Sequence, residues 1–152
     1  MSNCRSARNM AAIAAALLLS VVVCGPVLSA DTIKFGVAGS HSGDLASYGL
    51  PTVNAAKLVV ADFNAKGGVL GKQIELVVED DVCKPEVATS TATKLVGEDV
   101  AVVLGHICSG ATKAALGIYN DSKKVVMSPS ATNPALTQSG DYHNFFRTIA
   151  AD

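Results

Sequence analysis

The sequence predicts an α/β protein built as a doubly wound parallel sheet. Two observations lead there. Short apolar, β-branched runs alternate with runs of helical spacing, joined by short connections, which is the pattern of repeated βαβ units. At the centre of the chain, AVVLGHICSGAT (residues 101–112) runs from four apolar residues through a turn into an Ala-rich segment. Four such residues in a row read as a strand buried on both faces. The carboxyl end of a buried strand is where open α/β sheets bind ligands.

Each element has its own justification. Residues 32–38 (TIKFGVA) form a β-branched, apolar first strand, followed by the small-residue loop Gly39-Ser40-His41-Ser42-Gly43-Asp44. That loop is neither G-x-G-x-x-G nor a P-loop, so it does not point to a nucleotide. Val53, Ala56, Val60 and Phe63 fall at helical spacing over residues 51–65. Pro51 suits the first turn of that helix, and Gly67-Gly68 ends it. Residues 73–79 alternate as a second strand, and after Pro85 a second helix runs to about Val96 with Val87, Thr91 and Leu95 on one stripe. The central strand follows at residues 101–104, then a helix over 111–119. Ser109 stands where the N-cap belongs, its hydroxyl available to an orphan N–H. The free N–H groups and positive dipole end there suit an anion such as a carboxylate. Residues 125–127 make a fourth strand, residues 128–134 a hydroxyl-rich loop, and residues 145–149 a fifth strand.

Right-handed crossovers and the common order 2-1-3-4-5 put the switch point between strands one and three. Loops 39–48, 105–112 and 127–133 then meet at one crevice. They carry Ser40, Ser42, Tyr48, Ser109, Thr112, Ser128, Ser130 and Thr132, and Asp44 is their one acid. Such a crevice suits a small polar ligand with neighbouring positive and negative ends.

The first thirty residues read differently. Arg5 and Arg8 precede an apolar run at 11–23, broken only by Ser20, and Leu28-Ser29-Ala30 offers a cleavage site. This is a secretory signal peptide cut after Ala30; the run falls short of the roughly 20 residues that span a bilayer. Cys24 raises lipoprotein anchoring, but Val23 is a poor residue before a lipobox Cys, and a periplasmic protein is expected. The chain has 12 Lys+Arg and 13 Asp+Glu, and losing Arg5 and Arg8 leaves 10 against 13, a net charge of −3. With no basic run and few aromatics, that balance argues against nucleic acid. Residues 31–152 amount to one domain's worth of chain.

Cleavage leaves Cys83 and Cys108, an even pair that in an exported protein reads as a disulfide. The rival is a metal pair with His106, which needs a further ligand. Catalytic signatures are absent. Asp80-Asp81 invites a phosphoacceptor reading, but Gly105 and His106 stand where a further Asp would be needed, so the acidic pair is expected to be a solvated strand end. Around Ser109 the chain reads His-Ile-Cys-Ser-Gly, not G-x-S-x-G. His41, His106 and His143 lack metal spacing and are expected in loops or at the surface. No catalytic residue, cofactor or metal is expected.

The segments IKFGVAGSHSGDLASYG, DFNAKGGVLGKQIELVVEDDVCKPEVA, GHICSGAT and SPSATNPALT resemble, in order and spacing, the opening half of periplasmic leucine/isoleucine/valine-binding proteins. These are the solute receptors of branched-chain amino-acid ABC transporters. The resemblance covers residues 31–152 and implies a type I periplasmic-binding-protein lobe, the first of two that close on one amino acid. It further implies that Ser109 binds the ligand carboxylate and that Thr132 contacts the charged groups. The Ser130 carbonyl, beside Ala131, would accept from the ammonium, while Tyr48, Ile107 and Cys108 border the aliphatic side chain. Cys83 and Cys108 match the family's lobe-one disulfide. The implied partners are leucine, isoleucine or valine and an inner-membrane ABC permease. The chain ends at FFRTIAAD, where the family crosses into its second lobe, so a partial first lobe is expected. Two other functions stay open: a receptor for another small ligand, such as an amide or short-chain acid, and an exported hydrolase.

Overall fold

In the computed structural model, residues 32–152 are described. The leader with its cleavage site and Cys24 falls outside them. Five strands and four α-helices alternate: β1 (Thr32–Gly39), α1 (Ala46–Ala65), β2 (Gln73–Asp80), α2 (Pro85–Gly97), β3 (Val102–Leu104), α3 (Ser109–Asp121), β4 (Val125–Ser128), α4 (Ala135–Gln138) and β5 (Phe145–Arg147). All strand pairs are parallel, in the order β2-β1-β3-β4-β5. This is the doubly wound topology expected from the sequence, with its switch point between β1 and β3.

The register explains the burial. Gly36 pairs with Val103 and Val103 with Val126, and alternate residues point to opposite faces. On one face Ala38, Val103, Val126 and Phe145 meet Ala88, Ala92 and Leu95 of α2 and Ala111, Ala115 and Leu116 of α3 in a single core. Small alanines let the helices approach the sheet closely. The other face is covered by α1 alone, where Val37, Val53 and Ala56 form a smaller cluster.

Two expectations change here. The central strand is buried on one face only: Val103 is inaccessible, while Val102 and Leu104 are half-buried. They line a groove of about 400 Å³ between α1 and the sheet, together with Phe35, Phe63, Val125 and Met127. The first helix also starts before Pro51, at Ala46. The short helix α4 follows the hydroxyl-rich loop and leads into β5.

Candidate functional site

The three loops at the carboxyl ends of β1, β3 and β4 are tied together from beneath by polar groups. After β1, the His41 N–H donates to Asp80 Oδ1 at 2.9 Å and the Ser42 hydroxyl to Asp80 Oδ2 at 2.5 Å. Gly49 of α1 lies so close that a Cβ there would fall 1.8 Å from the Ser40 carbonyl oxygen. The first loop is thus fastened to the end of β2 and to α1, leaving Tyr48 69% exposed.

The loop after β3 begins at Gly105, where φ is +140° and a Cβ would sit 2.0 Å from the Ala38 carbonyl oxygen; the Gly105–His106 peptide is cis. His106 lies in this loop, as one of the two placements expected from sequence, but is fully buried. Its Nδ1 lies 2.5 Å from Asp81 Oδ2 and its Nε2 3.1 Å from the Tyr119 hydroxyl. Asp81 is buried too, and its Oδ1 accepts from the Cys83 N–H at 2.8 Å. The acidic pair is therefore no solvated strand end: Asp80 holds one loop and Asp81 another. Burial, with the nearby Asp81 carboxylate, pushes the Tyr119 phenol well above its usual pKa. The Asp81–His106–Tyr119 chain spans β2, the β3 loop and α3. Beside it Cys83 and Cys108 form a disulfide with a Cα–Cα distance of 5.5 Å. That bond removes both thiolates from any metal site with His106.

Ser109 needs a correction. Cys108 is the N-cap of α3, with extended backbone, and Ser109 is the first helical residue. Its hydroxyl oxygen caps no N–H of its own helix but accepts from the Asn133 N–H at 3.2 Å, joining α3 to the loop after β4. That loop is fixed from below as well. The Ser128 hydroxyl donates to the His106 carbonyl at 2.6 Å and that of Ser130 to the Ile107 carbonyl at 2.7 Å. Ser40, Thr112 and Ser128 are at most 1% exposed, so these expected crevice hydroxyls are scaffold.

Ser109 meets the loop that carries Ser130 and Thr132 through the Asn133 N–H, while the Ser130 hydroxyl goes to the Ile107 carbonyl and that of Thr132 to Asp152. Ala131 is fully buried and offers only backbone. Ile107 is 6% exposed, close enough to Gly39 that a Cβ there would clash with it, and Cys108 is held in the disulfide. Two residues went unrecognised in the sequence. Asp152 accepts from the Thr132 hydroxyl through Oδ2 at 2.8 Å and donates its N–H to the Thr132 carbonyl at 3.1 Å. It puts a carboxylate where the sequence placed none. Arg147 reaches the same loop from β5. Nothing local marks either residue, since both act 15 to 20 positions away.

His41 gives the first loop a pH response. Both its ring nitrogens are buried without a hydrogen-bond partner among the described residues. Burial lowers its pKa from the ordinary 6.5, against the opposing pull of Asp80 and Asp81. The unfolded chain then binds the proton more readily, so stability is full above pH 6.5 and falls as pH drops through that value. Urea midpoints measured downward from pH 8 should fall through this window, and the fall should shrink in His41→Gln. An unchanged slope in that variant would clear His41. Asp80 acts at lower pH. Burial raises its pKa, but hydrogen bonds from Ser42, His41 and Val82 outweigh that and hold it below 3.8, so its contribution is lost only in stronger acid.

A sheet with its switch point beneath loops pinned by a disulfide and by buried hydroxyls narrows the families to consider. The family model for periplasmic binding proteins matches residues 32–152. The chain belongs to the periplasmic binding protein family. Among its relatives, the leucine-specific-binding protein of Salmonella typhimurium is 42% identical over 123 residues, 81% of this chain and 33% of that protein. The leucine-, isoleucine-, valine-, threonine- and alanine-binding protein of Pseudomonas aeruginosa is 42% identical over 125 residues, with 82% and 33% covered. Among solved structures, the branched-chain amino acid transporter substrate binding protein of Streptococcus pneumoniae, in complex with isoleucine, superposes with a TM-score of 0.74. It is 39% identical, over 80% of this chain and 34% of that one. A solute binding protein from Rhodopseudomonas palustris, in complex with 3,4-dihydroxybenzoic acid, gives 0.71 at 28% identity, with 80% and 32% covered. The chain spans about a third of the length of the curated relatives it matches.

Proposed function

We propose that residues 31–152 form part of the first ligand-binding lobe of an exported receptor for branched-chain amino acids, which serves an inner-membrane ABC permease and has no catalysis of its own. One observation supports this most: Ser109, at the open N-terminus of α3, is joined through Asn133 to the loop that carries the Ser130 carbonyl and Thr132. Free N–H groups and the helix dipole there attract a carboxylate. A few residues along, the Thr132 hydroxyl donates its proton to Asp152 and so turns lone pairs outward, as an ammonium requires. The sequence signal at residues 1–30 supports export, and the relatives named for leucine, isoleucine and valine support the ligand.

The lobe by itself leaves one side of a bound aliphatic chain in water. Losing half of a leucine side chain's burial forfeits on the order of 1 kcal/mol. A further charge-assisted bond to the ammonium from a facing lobe is worth about 1.5–3 kcal/mol, so leucine should bind this lobe alone two to three orders of magnitude more weakly, roughly, than it binds a closed two-lobed receptor. Ser109→Ala should weaken leucine binding by a further 1.5–3 kcal/mol or so. Because Ser109 does not cap its helix, melting should hardly move. Unchanged affinity with lowered melting would overturn the assignment of Ser109.

A second reading, a receptor for another small acid, gains support from the relative solved with 3,4-dihydroxybenzoic acid. That ligand shares the carboxylate with an amino acid and lacks the ammonium. Calorimetry with leucine, valine and 3,4-dihydroxybenzoate separates the two readings.

A further inference from the structure

Arg147 stands on β5, away from the three loops, yet its guanidinium ends in the loop after β4. Nη1 lies 3.3 Å from the Ala131 carbonyl oxygen, 2.8 Å from that of Thr132 and 3.0 Å from that of Asn133. Nη2 donates to the Thr137 hydroxyl oxygen of α4. Three successive carbonyls thus converge on one cation. Arg147 stands at the last pair of the β4–β5 ladder, opposite Ser128. Its stem is therefore anchored in the sheet, and only its head reaches up to the loop.

The consequence follows from peptide geometry. In a trans peptide the C=O and the N–H of the next residue point in opposite directions, and the peptides of this loop are trans. Turning the carbonyls of Ala131 and Thr132 toward Arg147 turns the N–H groups of Thr132 and Asn133 away from it. The Asn133 N–H shows where that direction leads: it donates to the Ser109 hydroxyl oxygen, at the N-terminus of α3. We propose that Arg147 is a positioning residue for the anion subsite, which holds the loop after β4 so that the peptide N–H groups of Thr132 and Asn133 face the N-terminus of α3 and receive a ligand carboxylate. The proposal rests on the binding reading given above.

A cation under the carbonyls also polarises these peptides, making their N–H groups stronger donors. Lysine is not equivalent: its ammonium is a point donor on a flexible stem, whereas the planar guanidinium holds Nη1 on the carbonyls and Nη2 on Thr137 at once. Ordinary anchoring of a loop predicts something different, a loss that does not depend on whether the ligand carries a carboxylate.

The test uses the exported, processed chain labelled with ¹⁵N, titrated at constant ionic strength with L-leucine, 4-methylpentanoate (carboxylate only) and 3-methylbutylamine (ammonium only). In the wild type, leucine and 4-methylpentanoate should shift the Thr132 and Asn133 amides. Arg147→Lys should weaken both by about tenfold, while 3-methylbutylamine binding stays within about twofold and cooperative melting is kept. Equal loss for all three probes would make Arg147 a structural support and overturn the proposal. Wild-type affinities in Arg147→Lys would overturn it and leave the binding reading standing. Silence of the wild type toward every probe would end the binding reading, and this proposal with it. Should Arg147→Lys fail to fold, Arg147→Gln takes its place in the same titrations. Loss of folding in both variants would also count against the proposal, since Arg147 would then be holding the fold.

Discussion

Replacing Cys83 and Cys108 together by serine should lower the unfolding free energy by about 3.5 kcal/mol, the loop-closure entropy released when a 25-residue loop is opened. The effect should be concentrated in one place. Cys83 ends the turn after β2 and Cys108 is the N-cap of α3, so the bond ties the end of β2 to the helix whose N-terminus is proposed to receive the carboxylate. Chemical denaturation of the double variant and of the reduced wild type should agree. The ligand crevice should also loosen, because Ser109 follows Cys108 directly. A loss below about 1 kcal/mol would mean that the polar contacts already hold this loop, against the entropic estimate.

Asp81→Ala should be comparably severe, costing about 3–5 kcal/mol. The carboxylate is fully buried and serves two partners, the His106 ring and the Cys83 N–H. Removing it leaves the buried His106 Nδ1 and the Cys83 N–H without their shared partner, with only Nε2 still paired to Tyr119. Asp81→Asn is close to isosteric and can still accept from Cys83, so it should cost clearly less. His106→Leu removes the other partner and should fall between the two. Urea midpoints of the three variants give the order, and Asp81→Asn matching Asp81→Ala would show that hydrogen-bond acceptance is not what matters.

The sheet was legible because its signals are local. Strands TIKFGVA and AVVL, the Pro85 helix start and Gly67-Gly68 each announce themselves within a few residues, and crossover handedness then orders the strands. The disulfide was legible from cysteine count and compartment. The exposed face beside α1 was not. A run such as Val102-Val103-Leu104 reads as buried on both sides whatever covers it, and here α1 covers only part of that face.

At the site, hydroxyl-rich loops marked the right region but not the division of labour. Ser128 and Thr112 look as suitable as Ser109 in sequence, yet they spend their hydroxyls on backbone carbonyls, Ser128 on that of His106 and Thr112 on that of Cys108. Ser109 was read one position off, because Cys108 has the extended backbone that an N-cap requires. Asp81, His106, Arg147 and Asp152 were misread or missed for one reason. Their partners lie 15 to 25 residues away, and only the folded chain shows a charge finding its counterpart at such separations.

The most direct measurement is a ¹⁵N amide titration of the processed chain with L-leucine, followed residue by residue. The expected result is weak, saturable binding, with shifts concentrated at Ser109, Gly110, Thr132 and Asn133. Shifts confined to the apolar groove around Phe35 and Met127, or no response at the mouth of α3, would contradict it.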